Sequence, residues 1–155
     1  MNDVSVIRHA IERFLGQLDR DPTDDQIGLR SLAISLDNLV SVYFTTVDVE
    51  PTDGPDAPAM DYSSFARRAN RAFPELGSYP YADPGGESGQ DELLVADAID
   101  DIADIAGDLS EVLWLLNAGR EIDAIWDFRF GYQYHWGDHL HSLRHYLHST
   151  RVAAW

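Results

Sequence analysis

The chain has 155 residues, 27 acidic and 11 basic, and a formal net charge of −16. That length suits one domain with a core that needs no staples. The absence of Cys excludes disulfides, zinc-thiolate sites and thiol catalysis, and the negative charge argues against nucleic acid, whose phosphates would be repelled over the whole surface.

The N-terminus carries Asp3 and Glu12 where an export signal needs basic and then purely apolar residues. No apolar run approaches the roughly 20 residues that span a bilayer. The expectation is a cytoplasmic protein with no membrane partner. Val4, Ile7, Ile11, Phe14, Leu15 and Leu18 share one stripe of a first helix, capped by Asp3 and ended by Arg20-Asp21-Pro22. A second helix starts after Thr23, with Asp24 and Asp25 favouring its dipole, and runs to about Thr46. Its apolar face is Leu29, Leu32, Ala33, Leu36, Leu39, Val40, Tyr43 and Phe44.

Residues 48–60 read as a Pro-rich acidic loop. A short helix follows from Tyr62 to Phe73 and carries the Arg67, Arg68 and Arg71 cluster. Residues 74–90 read as a second loop, rich in Pro, Gly and Tyr. A long helix from about Gln90 to Asn117 buries Val95, Ile99, Ile102, Ala106, Leu109, Val112, Leu113 and Leu116, and Gly119 suits its C-cap. The last segment, about Ile122 to His148, forms an antiparallel hairpin with it. Within it Trp126, Phe128, Phe130, Tyr132, Tyr134 and Trp136 alternate as in a strand, yet on a helix they split into two stripes at i, i+4. The apolar residues on both sides favour helix, with Gly131 or Gly137 as a place for a break. The fold expected is all-α: one domain, 1–155, a bundle of about five helices around the long C-terminal hairpin. Trp114, Trp126, Phe128, Phe130 and Trp136 are expected inside it.

Two motifs carry candidate chemistry. His135 and His139 are i, i+4 on a helix, which suits two imidazoles on one divalent metal ion. The simpler alternative is a pair of boundary histidines, each hydrogen-bonded to an acid on the neighbouring helix. Asp97, Asp101, Asp104, Asp108 and Glu111 form one helical stripe, expected to be solvated or Arg-paired. The hairpin brings both motifs side by side, so Asp104 or Asp108 can serve His135 or Arg129 as an orienting acid. His141, His145 and His148 read as exposed.

The segments Asp-Asp-Ile-Ala-Asp-Ile-x-x-Asp-Leu (100–109), Asn-Ala-Gly-Arg (117–120), Ala-Ile-Trp-Asp-Phe-Arg-Phe (124–130) and His-Trp-Gly-Asp-His-Leu (135–140) resemble a family of small bacterial helical proteins defined as a domain of unknown function. The likeness covers about residues 95–148. It implies an all-α fold and a bacterial cytoplasmic protein, and it carries over no catalytic residue.

Two functions are expected from different classes. The first is a non-catalytic acidic binding module without cofactor, immunity- or antitoxin-like, steered toward a basic protein partner. Its contact surface would use Tyr79, Tyr81, Asp53 and Asp56 in the two loops. The second is a metal-dependent hydrolase, with His135 and His139 as ligands, Asp104 or Asp108 as third ligand or base, and Arg129 as an anion contact.

Overall fold

The computed structural model describes residues 3–22, 25–86 and 93–151. The side chain of Asp3, residues Thr23 and Asp24, the side chain of Asp25, Gln90 and Trp155 lie outside that description.

Helix α1 (Asp3–Leu15) runs into a 3-10 turn at Gly16–Asp19, and α2 spans Asp25–Thr45. They pack along Ile7, Ile11, Phe14 and Leu18 on one side and Leu29, Leu32, Leu36 and Leu39 on the other, all fully buried. The stretch Gln26–Thr45 is long and apolar enough to cross a membrane by length and composition, so the sequence does contain one such run. Here its apolar stripe is taken up by the core. Helix α3 (Tyr62–Ala72) starts at Asp61, whose carboxylate accepts from the Ser64 N–H. Of its Arg cluster, Arg68 pairs with Asp19 at 3.0 Å.

The long helix expected from Gln90 is shorter at its start. Strand β1 (Ser78–Tyr81) pairs antiparallel with β2 (Leu94–Asp97), Tyr79 opposite Ala96, and helix α4 occupies Ala98–Asn117. Val95 fits the helical stripe by spacing, but it lies on β2 and is exposed. A strand this short has too few residues for its period to stand out beside a 20-residue helix. Asp97 ends the strand and caps the helix, accepting from the N–H groups of Ile99 and Asp100. At the far end Gly119 takes φ +74°, with Gly119 N–H on the Leu116 carbonyl and Arg120 N–H on the Leu115 carbonyl. That is a Schellman closure, and it confirms the expected stop.

The last segment is two helices, α5 (Glu121–Tyr134) and α6 (Trp136–Arg151), broken at His135. The chain stays all-α apart from the small β1–β2 pair. Helix α4 is central, packed against α1, α3, α5 and α6. Trp136 and Phe128 are fully buried with rings 5.2 Å apart, whereas Trp126 is half-buried and Trp114 and Phe130 are exposed. Of the two aromatic stripes on α5, the one with Phe128 and Tyr132 faces the core. Tyr132 stacks on Tyr43 at 3.9 Å, which leaves the Trp126–Phe130 stripe outside.

The break depends on a close approach. A Cβ on Gly137 would collide with the Tyr132 carbonyl, while one on Gly107, in α4, would meet nothing. Gly137→Ala is therefore expected to cost about 1–3 kcal/mol in urea unfolding. Gly107→Ala is expected to gain up to about 1 kcal/mol from the helical preference for Ala. Equal midpoints for the two variants would refute this account of the break.

Candidate metal centre

The acidic stripe on α4 is not a solvated face. Helix α6 packs over it, the Tyr79 side chain reaches it from β1, and Asp101 is 5% exposed. A buried carboxylate needs donors, and two arrive from separate elements. The Tyr79 hydroxyl, from β1, makes a short hydrogen bond to Asp101 Oδ2, and His139 Nδ1, from α6, lies 2.8 Å from Oδ1. The partners of the stripe are thus Tyr and His rather than Arg. Further along, Asp108 Oδ2 lies 2.6 Å from His135 Nδ1. Asp104 sits between the two pairs, its Oδ2 3.6 Å from His139 Nε2.

Because α5 ends at His135, the two histidines come from a helix terminus and from the first turn of the next helix. Their rings are 5.1 Å apart and nearly perpendicular, at 78°. Each ring has one nitrogen held by an aspartate, which sets the tautomer and leaves the other nitrogen free to bind. One ligand atom each from Asp104, His135 and His139 lies within 4.8 Å of the others. Ligands on a tetrahedral ion at about 2.0–2.2 Å sit closer together than this, so a bound ion would have to draw the three groups inward. A cavity of about 350 Å³ opens beside it, lined among others by Tyr81, Asp100, Asp104, Asp138, His139 and Ser142.

The electrostatics follow from this packing. The hydrogen bond to Asp101 raises the His139 pKa above its ordinary value, against desolvation, and Asp104 adds to the rise. Desolvation raises Asp104, while His139 and His135 pull the other way. Burial and the bond to Asp101 raise the Tyr79 hydroxyl far enough to keep it a donor.

The remaining candidates fall elsewhere. Arg129 is not at the centre: its guanidinium lies 3.3 Å from Asp48 and 2.7 Å from the Thr46 carbonyl, tying α5 to the end of α2. Tyr79 is no loop contact residue, being 7% exposed and bound to Asp101. Tyr81 is half-buried at the cavity wall. Asp53 and Asp56 are exposed as expected, on a loop pinned by Asp123, which accepts from Thr52 N–H at 2.6 Å and pairs with Arg120 at 2.9 Å. His141, His145 and His148 are exposed. Sequence reasoning missed Asp101 and Tyr79 as supports. The available signal was the placement of Asp101, one turn before Asp104 and two before Asp108, on a helix expected to pack against the histidine segment.

A pH dependence follows for the metal-free protein. A His whose folded pKa is raised contributes stability in full below its unfolded value of about 6.5, and loses it as pH rises through the folded value. In EDTA, the melting point should fall as pH rises from about 6.5 through the raised His139 value, and His139→Gln should flatten that part of the curve. An unchanged slope in the variant would remove His139 as its source.

Three comparisons bear on kinship. The family model described as a domain of unknown function, DUF5063, matches residues 32–153. No curated protein matches the chain. Among solved structures, the crystal structure of protein BF1032 from Bacteroides fragilis is similar in fold, with a TM-score of 0.75, 14% identity, and coverage of 95% of this chain and 90% of that one. The matched segment reaches from the second helix through the last and includes every residue of the candidate centre, so the chain belongs to the DUF5063 family.

Proposed function

We propose that this protein binds a divalent transition metal ion, Zn²⁺ first among the candidates, and uses it in hydrolysis. The observation that carries the reading is the paired support: Asp101 holds His139 and Asp108 holds His135, each by Nδ1, beside Asp104. Acids behind ligating histidines orient the rings and raise their basicity. Two imidazoles and one carboxylate make three protein ligands, which leaves a position open, as hydrolytic zinc centres do. When bound, the ion would supply an activated water and a Lewis acid.

The chain's own residues narrow the substrate. Asp97, Asp100, Asp101, Asp104 and Asp138 all border the cavity, and among the described residues no Arg does. An anionic group such as phosphate would be repelled, and Arg129 is too engaged elsewhere to offset that. A neutral or cationic substrate fits the field. Asp138, exposed at the cavity rim, is suited to take up a proton.

The test is a melt of untagged protein after EDTA, with Zn²⁺, Mn²⁺ or Mg²⁺ added back. An ion at 100 times its Kd should stabilise by about 2.7 kcal/mol, or roughly 5–10 °C for a domain of this size. His139→Ala and Asp104→Asn should abolish the shift, and Asp101→Asn should weaken binding by about 10- to 100-fold. Hydrolysis of an uncharged chromogenic ester should require the same ion and the same residues. A melting point indifferent to EDTA and to every ion would reduce the histidines to structural hydrogen bonds.

A further inference from the structure

The outer stripe of α5 is a second feature, remote in character from the metal centre. Ile122, Trp126, Phe130 and Tyr134 recur every four residues and so share one face. Ile122 is 50% exposed, Phe130 45% and Tyr134 69%. The rings form a ladder, Trp126 on Phe130 and Phe130 on Tyr134, each pair 4.7 Å apart. Aromatic side chains with few rotatable bonds are effective anchors at protein interfaces.

A recess of about 180 Å³ lies at one end of the ladder, where Trp126 and Asp127 meet Glu111, Leu115 and the pinned loop at Asp56. Four carboxylates therefore line the recess beside the Trp126 ring, and of these Asp123 is already held by Arg120 and Thr52. Arg120 also borders the recess, but it is committed to Asp123 and to the Pro55 carbonyl. Among the described residues no donor or cation pairs with Asp127. Its pKa is pushed up to about 6, by burial first and then by Glu111, Asp108 and Asp56. Bringing a positive charge into the recess would relieve that repulsion, and the indole face would add a cation–π contact.

We infer that the aromatic face of α5 docks a basic segment of another protein, with one Arg or Lys side chain seated between Trp126 and Asp127. The charge selects this occupant over a second copy of the chain. Two copies, each with a formal charge of −16, would bring like carboxylates together at this face. The recess is also ready-made, because the Asp123 bonds to Thr52 hold the loop that forms its far wall. The surface lies outside the loops' tyrosines and retains only Asp56 from the contact set expected on sequence.

The probe is a synthetic amphipathic helical peptide of Leu and Arg, titrated by calorimetry against the full chain, with a matched Leu and Glu peptide beside it. Asp127→Asn and Phe130→Ala alter exposed or half-exposed groups and are first checked for an intact melt. Each should weaken Arg-peptide binding by about tenfold or more. Glu12→Gln removes the same charge from α1, where Glu12 is 53% exposed, and should change it less than about twofold. Binding should also weaken as salt rises from about 50 to about 500 mM. Three results would overturn the inference: equal affinity for the Glu peptide, Arg-peptide affinity unmoved in both face variants, or sedimentation showing a dimer that Phe130→Ala dissociates.

Discussion

The structure turns on a carboxylate that has to be satisfied. Asp101 sits in the first turn of the central helix with almost no contact with water. Left bare, a buried charge costs several kcal/mol, of the order of 3–5 when a partner is removed. Its two oxygens are met by a hydroxyl from β1 and an imidazole from α6. One side chain therefore ties three elements together and sets their relative positions. The same bonds aim His139 at Asp104, so the demand that stabilises the packing also builds the candidate centre.

The second constraint is the break at His135. A continuous helix would carry His135 and His139 one above the other on a single face. Ending α5 at His135 instead lets its ring meet Asp108, while α6 starts anew and brings His139 to Asp101. The small residue at Gly137 admits the Tyr132 carbonyl, and Gly131 lies against the buried Trp136 ring, whose Cδ1 and Nε1 fall within 2.8 Å of where a Cβ would be. Backbone economy at two glycines thus decides the geometry of two imidazoles.

Acidity plays two different roles. At the centre, the aspartates orient bases and border a cavity, where a cation is the natural guest. At the α5 face, Asp127, Glu111 and Asp56 have no such partner among the described residues, and their mutual repulsion is left standing beside exposed rings. The Schellman turn and the Asp123 bonds hold the chain around these groups. Both features point toward positively charged guests, one an ion and one a side chain.

Much of this was legible in the residues themselves. The 3.6-residue spacing of apolar side chains marked α1, α2, α3 and α4, and Gly119 marked the stop between α4 and α5, because local periodicity and turn chemistry act over a few residues. The His135/His139 pair and the neighbouring acids stood out by type and spacing. Long-range packing decided the rest. Strand β2 exists because Ser78–Tyr81 lies alongside it, which no local pattern states. Which stripe of α5 went inside depended on Tyr43 and Trp136 being there to receive it. Arg129 left the site because the α2 terminus offered carbonyls within reach. Sequence by itself determined where most of the helical chain lies and the chemistry available to it, though not the start of α4 or the break at His135. Only the tertiary structure decided which carboxylates met which imidazoles, since that depends on contacts between residues far apart in the chain.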